Sequence, residues 1–214
     1  MRKNLFCACA ALGIAFAGSA GAVAGTPLPQ PEKTAPFAQR QSAAAFSEEA
    51  VPDQTLSTLL WAANGINRAN GKRTAATAMN KQEIEIFVIR ADGAFLAKIG
   101  ADEVSLETRS KKDLRAAVAG MQVDFAKAPL MLLLVADMEK FSMMPQEHAF
   151  QAACIDTGGV MQNILLSCAQ LGLGSRPRIS MDKDALVKEL GLGEKMIPLL
   201  NVVVGVPAEP APAK

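Results

Sequence analysis

The chain has 214 residues, half of them apolar, and its 22 Lys+Arg against 21 Asp+Glu leave a formal net charge of +1. So even a balance gives no electrostatic footprint for nucleic acid or an anionic membrane surface. With His148 the one histidine and no C-x-x-C pair, a metal centre of the Cys/His kind is hard to build, and neither a Walker loop nor a G-x-S-x-G elbow occurs.

The first residues read as a signal peptide. Arg2 and Lys3 supply a positive start, Leu5 to Phe16 is an uncharged apolar run, and Ala22-Val23-Ala24 is a small-x-small cleavage site. A transmembrane anchor is the competing reading, but the stretch is rich in Gly and Ala and ends in Pro27, Pro29 and Pro31. Cleavage after Ala24 predicts an exported, periplasmic product with no membrane span. Without Arg2 and Lys3, 20 basic residues face 21 acidic ones. Cys7 and Cys9 leave with the signal. Cys154 and Cys168 fall in one helical pattern, about 21 Å apart at ~1.5 Å per residue, so they cannot pair and read as two buried thiols.

Residues 25–37, with four prolines, predict a linker. Asp53 is placed to cap a helix whose Leu56, Leu59, Leu60 and Ala63 share a face and which Gly65 ends. Ile84, Ile86 and Val88 alternate as a strand, Asp92-Gly93 is a turn signal, and Ala94 to Ile99 returns as the second arm of a hairpin. Leu114, Val118, Met121 and Phe125 mark another helix. Leu130 to Ala136 is a continuous apolar run, as in a strand buried on both faces. Glu147 to Leu171 predicts a long central helix, with His148 a polar residue at its start. Asp182 can cap a short helix ending at Gly191, Ile197 to Val204 is a last buried strand, and 208–214 is a tail. The sum is an α+β domain over 38–207 with a central mixed sheet flanked by helices.

Three ordered segments carry a resemblance. They are Arg40-Gln41-Ser42-x-x-x-Phe46; Leu59 to Arg68 followed by Arg73-Thr74-Ala75-Ala76-Thr77-Ala78-Met79-Asn80-Lys81-Gln82; and Asp156-Thr157-Gly158-Gly159-x-x-Gln162-Asn163-Ile164, ending in Gly172-Leu173-Gly174 with Gly205-Val206-Pro207 closing the last strand. Together they resemble the nitroreductase family, and most of all its short single-domain branch related to azoline dehydrogenases.

The resemblance implies a sandwich fold, an intertwined homodimer and FMN held at the subunit interface. It implies that Arg40, Gln41 and Ser42 hold the FMN phosphate and ribityl chain. Thr77, Ala78, Asn80 and Gln82 would meet the flavin from the partner subunit, and Arg178 would lie near the ring or phosphate. Arg73 and Lys81 are candidate cations near the ring. No catalytic side chain and no metal ligand is implied, because the cofactor carries the chemistry. The implied activity is ping-pong transfer through flavin N5 to a nitro, quinone-like or azoline small molecule. The alternative is a flavin-binding or interaction protein of the same fold without catalysis. The chain departs from the family at Ala44, where many relatives carry a second arginine, at Ala76, which replaces the proline common before the Ser/Thr position, and after Pro207, where many place basic residues.

Overall fold

The computed structural model describes Gln30 and residues 32–208. Its elements in chain order are α1 (Ala35–Gln39), β1 (Ala45–Phe46), α2 (Asp53–Asn64), β2 (Ile84–Arg90), β3 (Gly93–Ile99), β4 (Val104–Ser110) and α3 (Arg115–Ala119). They continue with β5 (Leu130–Asp137), α4 (Gln146–Gln170), β6 (Gly174–Arg178), α5 (Lys183–Leu190), β7 (Met196–Gly205) and β8 (Pro207–Ala208). The expected signal peptide and most of the tail lie outside the described residues.

Six strands form one sheet in the order β4-β3-β2-β5-β7-β6. Its centre is buried on both faces, and the pleat sorts the side chains. Leu130, Leu132, Leu134 and Ala136 of β5 join Ile84, Ile86, Val88, Val202 and Val204 against α2 and α4. Met131, Leu133 and Val135 join Phe87, Ile89 and Val203 against α3 and α5. This is the period-two alternation that a continuous apolar run conceals in sequence. Both helical layers therefore follow from which side of β5 each residue faces.

The α+β class is as expected, but every adjacent pair in the sheet is antiparallel rather than mixed. The crossover through α4 does deliver β6 parallel to β5. β7 then returns between the two, so the parallel strands never touch.

Several local expectations shift for physical reasons. The 25–37 linker gives way at Ala35 to α1, where Pro36 occupies the first turn and suits a helix start. Pro52, not Asp53, stands before α2, which places Asp53 in the first turn without a capping bond. Gly65 follows α2 because a Cβ there would lie 2.5 Å from Cδ1 of the Trp61 ring. The helix expected over Leu114 to Phe125 stops at Gly120, whose φ of +54° breaks it, and resumes as a 3-10 turn over Val123–Lys127. Asp182 caps α5 as predicted, accepting from the Ala185 N–H, and Gly191 closes it at φ +62°. Cys168 is buried, but Cys154 is exposed on α4 beside an exposed Ile155. Among the described residues nothing covers that part of α4.

Candidate functional site

The first motif is held against the sheet edge by its backbone. Ser42 pairs in parallel with Ser175 of β6, and the Ala43 N–H donates to the Ser175 carbonyl at 3.1 Å. Arg176 returns a bond from Nη1 to the Ala43 carbonyl, also at 3.1 Å. Gly174 permits this approach, since a Cβ there would lie 2.9 Å from Ala43 Cβ and 3.0 Å from Pro207 Cγ. A two-stranded ladder of β1 with β8 ties down the far end. With the backbone fixed this way, the side chains of Arg40, Gln41 and Ser42 make no hydrogen bond or ion pair among the described residues. Gln41 and Ser42 are exposed and Arg40 is half-buried.

The second segment is a contorted turn. Met79, Asn80 and Gln82 hold φ of 50°, 55° and 50°, a region that each non-glycine residue enters at a cost of about 1–3 kcal/mol. The surroundings enforce it. The Ala78 N–H donates to Asp156 Oδ2 at 2.7 Å, the Gln82 N–H to Thr77 Oγ1 at 3.0 Å, and Lys140 Nζ to the Gln82 carbonyl at 2.7 Å. The Gln82 amide is committed within the chain: it accepts from Arg73 Nε and donates to the Gly71 carbonyl and Asn80 Oδ1. Arg73 spends its remaining bonds on the carbonyls of Asn64 and Ile99. It is thereby a strut of the turn. Asn80 and Met79 stay exposed.

Next to this turn lies a buried acid. Glu83 is 0% exposed and neither carboxyl oxygen has a partner among the described residues. Burial pushes its carboxyl up to about 7, and the neighbouring Asp156 carboxyl adds to the shift; its own backbone N–H and the Lys140 ammonium oppose it.

Arg178 lies on the same strand as Ser175, yet its guanidinium is consumed by the fold. It is 7% exposed and donates to Gln122 Oε1, Asn201 Oδ1 and the carbonyls of Val118 and Ala119. Those carbonyls belong to α3, so Arg178 faces the α3/α5 layer and away from the turn at 77–82. The candidate residues thus fall into two groups. Arg40, Gln41 and Ser42 gather on the strand of Arg178, whereas Thr77, Ala78, Asn80 and Gln82 gather beside α4. Among the described residues no hydrogen bond joins the two groups.

Sequence reasoning missed Arg176, Glu83 and Lys140. Arg176 sits in a strand with no alternation to reveal it. Glu83 abuts the apolar alternation of β2 and reads as its polar border.

Over residues 37–206 the chain matches the nitroreductase family. It belongs to that family. A nitroreductase-like protein of Methanocaldococcus jannaschii is 26% identical over 181 residues, covering 78% of this chain and 87% of that protein. A nitroreductase-type crystal structure from Ralstonia eutropha superposes with a TM-score of 0.74 at 29% identity, covering 86% of this chain and 89% of that one. The fold is also shared, at 17% identity and a TM-score of 0.74, with a chain of the Escherichia coli microcin synthetase McbBCD complex bound to truncated pro-MccB17; 92% of this chain and 79% of that chain are covered.

The nitroreductase family is one of flavin-dependent oxidoreductases, and the donor set here fits its flavin. A forked guanidinium at Arg40, a hydroxyl at Ser42 and an amide at Gln41 suit a phosphate ester and a polyol chain. Among the described residues all three donors are uncommitted, as a ligand requires.

Proposed function

We propose that the protein is an exported FMN-dependent oxidoreductase acting as a homodimer on a nitro, quinone-like or azoline small molecule. The observation that carries this reading is the set of free donors at Arg40, Gln41 and Ser42, fixed by backbone bonds to β6. When bound, FMN supplies hydride and electron transfer through N5, so two substrates can react in turn at one site. Arg40 holds the phosphate and Ser42 the ribityl chain. Asn80, exposed on the turn, offers a donor and an acceptor together, which the pyrimidine edge of a flavin needs. Thr77, Ala78 and Gln82 hold the shape of that turn through the bonds described above.

A second copy of the chain completes the site. α1 and the 78–80 turn both pack on α4. Each of the three elements exposes a large apolar side chain: Phe37 at 65%, Met79 at 65% and Ile155 at 74%. An apolar surface spread over touching elements is the kind a partner covers. In this reading the donor is other than a nicotinamide, because nicotinamide cofactors are scarce outside the cytoplasm, and FMN is acquired after the unfolded chain is exported.

The test is a two-stage spectrum. The full chain is loaded with FMN, reduced under anaerobic conditions with dithionite, and mixed with a quinone or a nitroarene. Bleaching of the flavin band followed by its return on adding the acceptor is the expected result. Bound flavin that stays reduced with every acceptor class would contradict an oxidoreductase and favour a binding protein.

A further inference from the structure

A pair of arginines next to the first motif has no counter-charge among the described residues. Arg176 and Arg178 alternate on β6, so both project from one face of the strand. Both guanidiniums lie over the Phe125 ring, at 5.4 and 5.1 Å from its centroid. They are close enough that the charge of Arg176, after burial itself, lowers the pKa of Arg178. Among the described residues neither forms an ion pair. Buried or half-buried charge is normally paired, so two adjacent guanidiniums without a carboxylate leave room for an anion.

The two are not equivalent. Arg178 uses its donors on four partners inside the fold. Arg176 is half-buried, makes a single hydrogen bond to the Ala43 carbonyl, and keeps its other N–H groups uncommitted among the described residues. That bond ties it to the backbone of the residue that follows Ser42. Both arginines line a cavity of about 400 Å³ together with Gln122, Ile179 and Ser180.

We propose that Arg176 is a phosphate-binding residue of the FMN site, completing with Arg40 and Ser42 a charge set that the first motif lacks at Ala44. Phe125 provides the flat apolar floor that keeps the guanidinium in plane, as arginine stacking requires. Arg178 fixes the strand and supplies background positive potential. This inference rests on the proposed FMN binding.

The experiment titrates the full-length chain with FMN and, separately, with riboflavin, which has the same ring and no phosphate. Binding is read by flavin fluorescence, and melting temperatures monitor the fold. Arg176→Ala is expected to lose about ten- to a hundredfold in FMN affinity, the range for one charge-assisted bond. Its riboflavin affinity should move less than about twofold, and Arg176→Lys should restore part of the FMN loss because it restores the charge. If Arg176→Ala does not fold, Arg176→Lys and Arg176→Gln are compared, and the charge-retaining variant must bind FMN more tightly. Unchanged FMN affinity in the Ala variant, or an equal fall for both flavins, overturns the phosphate role while leaving the FMN reading in place. A wild-type chain that binds neither flavin overturns both.

Discussion

Ser42 lies against Ser175 in a parallel bridge, and that single pairing hangs the first motif on the edge of the sheet. The approach depends on the missing side chain at Gly174. A Cβ there would press on Ala43 at 2.9 Å and on Pro207 at 3.0 Å, so Gly174→Ala should push the motif off β6. The expected cost is about 1–3 kcal/mol of stability, as for an overpacked interior, with a larger proportional loss of FMN affinity than of stability. Urea denaturation and flavin titration of the same preparation measure the two. A stable variant with unchanged FMN binding would show that the bridge does not position the motif.

Arg178 should behave as a residue of the fold. Arg178→Ala removes donors from the buried carbonyls of Val118 and Ala119 and from Asn201 and Gln122. Each buried acceptor left without a donor costs about 1–3 kcal/mol, so a total loss of roughly 2–5 kcal/mol is expected in equilibrium unfolding. Arg178→Lys should not recover it, because one ammonium cannot span four acceptors. A loss below about 1 kcal/mol would count against the structural role.

Glu83 makes stability depend on pH. Its carboxyl titrates near 7 in the folded chain against an ordinary value of 4.5. Between those values the unfolded chain gives up its proton first, so the folded state holds more protons and stability falls as pH rises. The fall should span roughly pH 4.5 to 7 and flatten above it. Glu83→Gln, which stays neutral, should remove most of this slope and be the more stable protein at pH 8. Thermal melts from pH 5 to pH 8 read it, and parallel slopes for the two proteins would refute the assignment.

Much of the fold could be read from residue order. The apolar run of β5, the alternation of β2, and the Asp182 and Gly191 signals of α5 each express a local rule, and local rules survive in sequence. What escaped depends on partners distant in the chain. The β4 and β6 strands are edges, with polar or proline-containing sequences such as Gly174-Ser175-Arg176-Pro177-Arg178, and their pairing is decided by neighbours. The insertion of β7 between β5 and β6, which makes the sheet antiparallel, has no local signature at all. In the candidate site, Arg40, Gln41 and Ser42 were legible because a motif carries them. Whether Gln82 and Arg178 spend their donors inside the chain was not, since those bonds run to Arg73, Val118 and Asn201. Glu83 was invisible for the same reason: its burial comes from the packing of α4 and Lys140 around the turn.

Binding of FMN to the full-length chain tests the central claim most directly. Titration followed by absorption and fluorescence, with the oligomeric state measured alongside, should show saturable binding by a dimer. Arg40→Ala should weaken that binding by about tenfold or more, as loss of a charge-assisted phosphate contact implies. No saturable FMN binding by the wild-type dimer, or an affinity indifferent to Arg40→Ala, would contradict it.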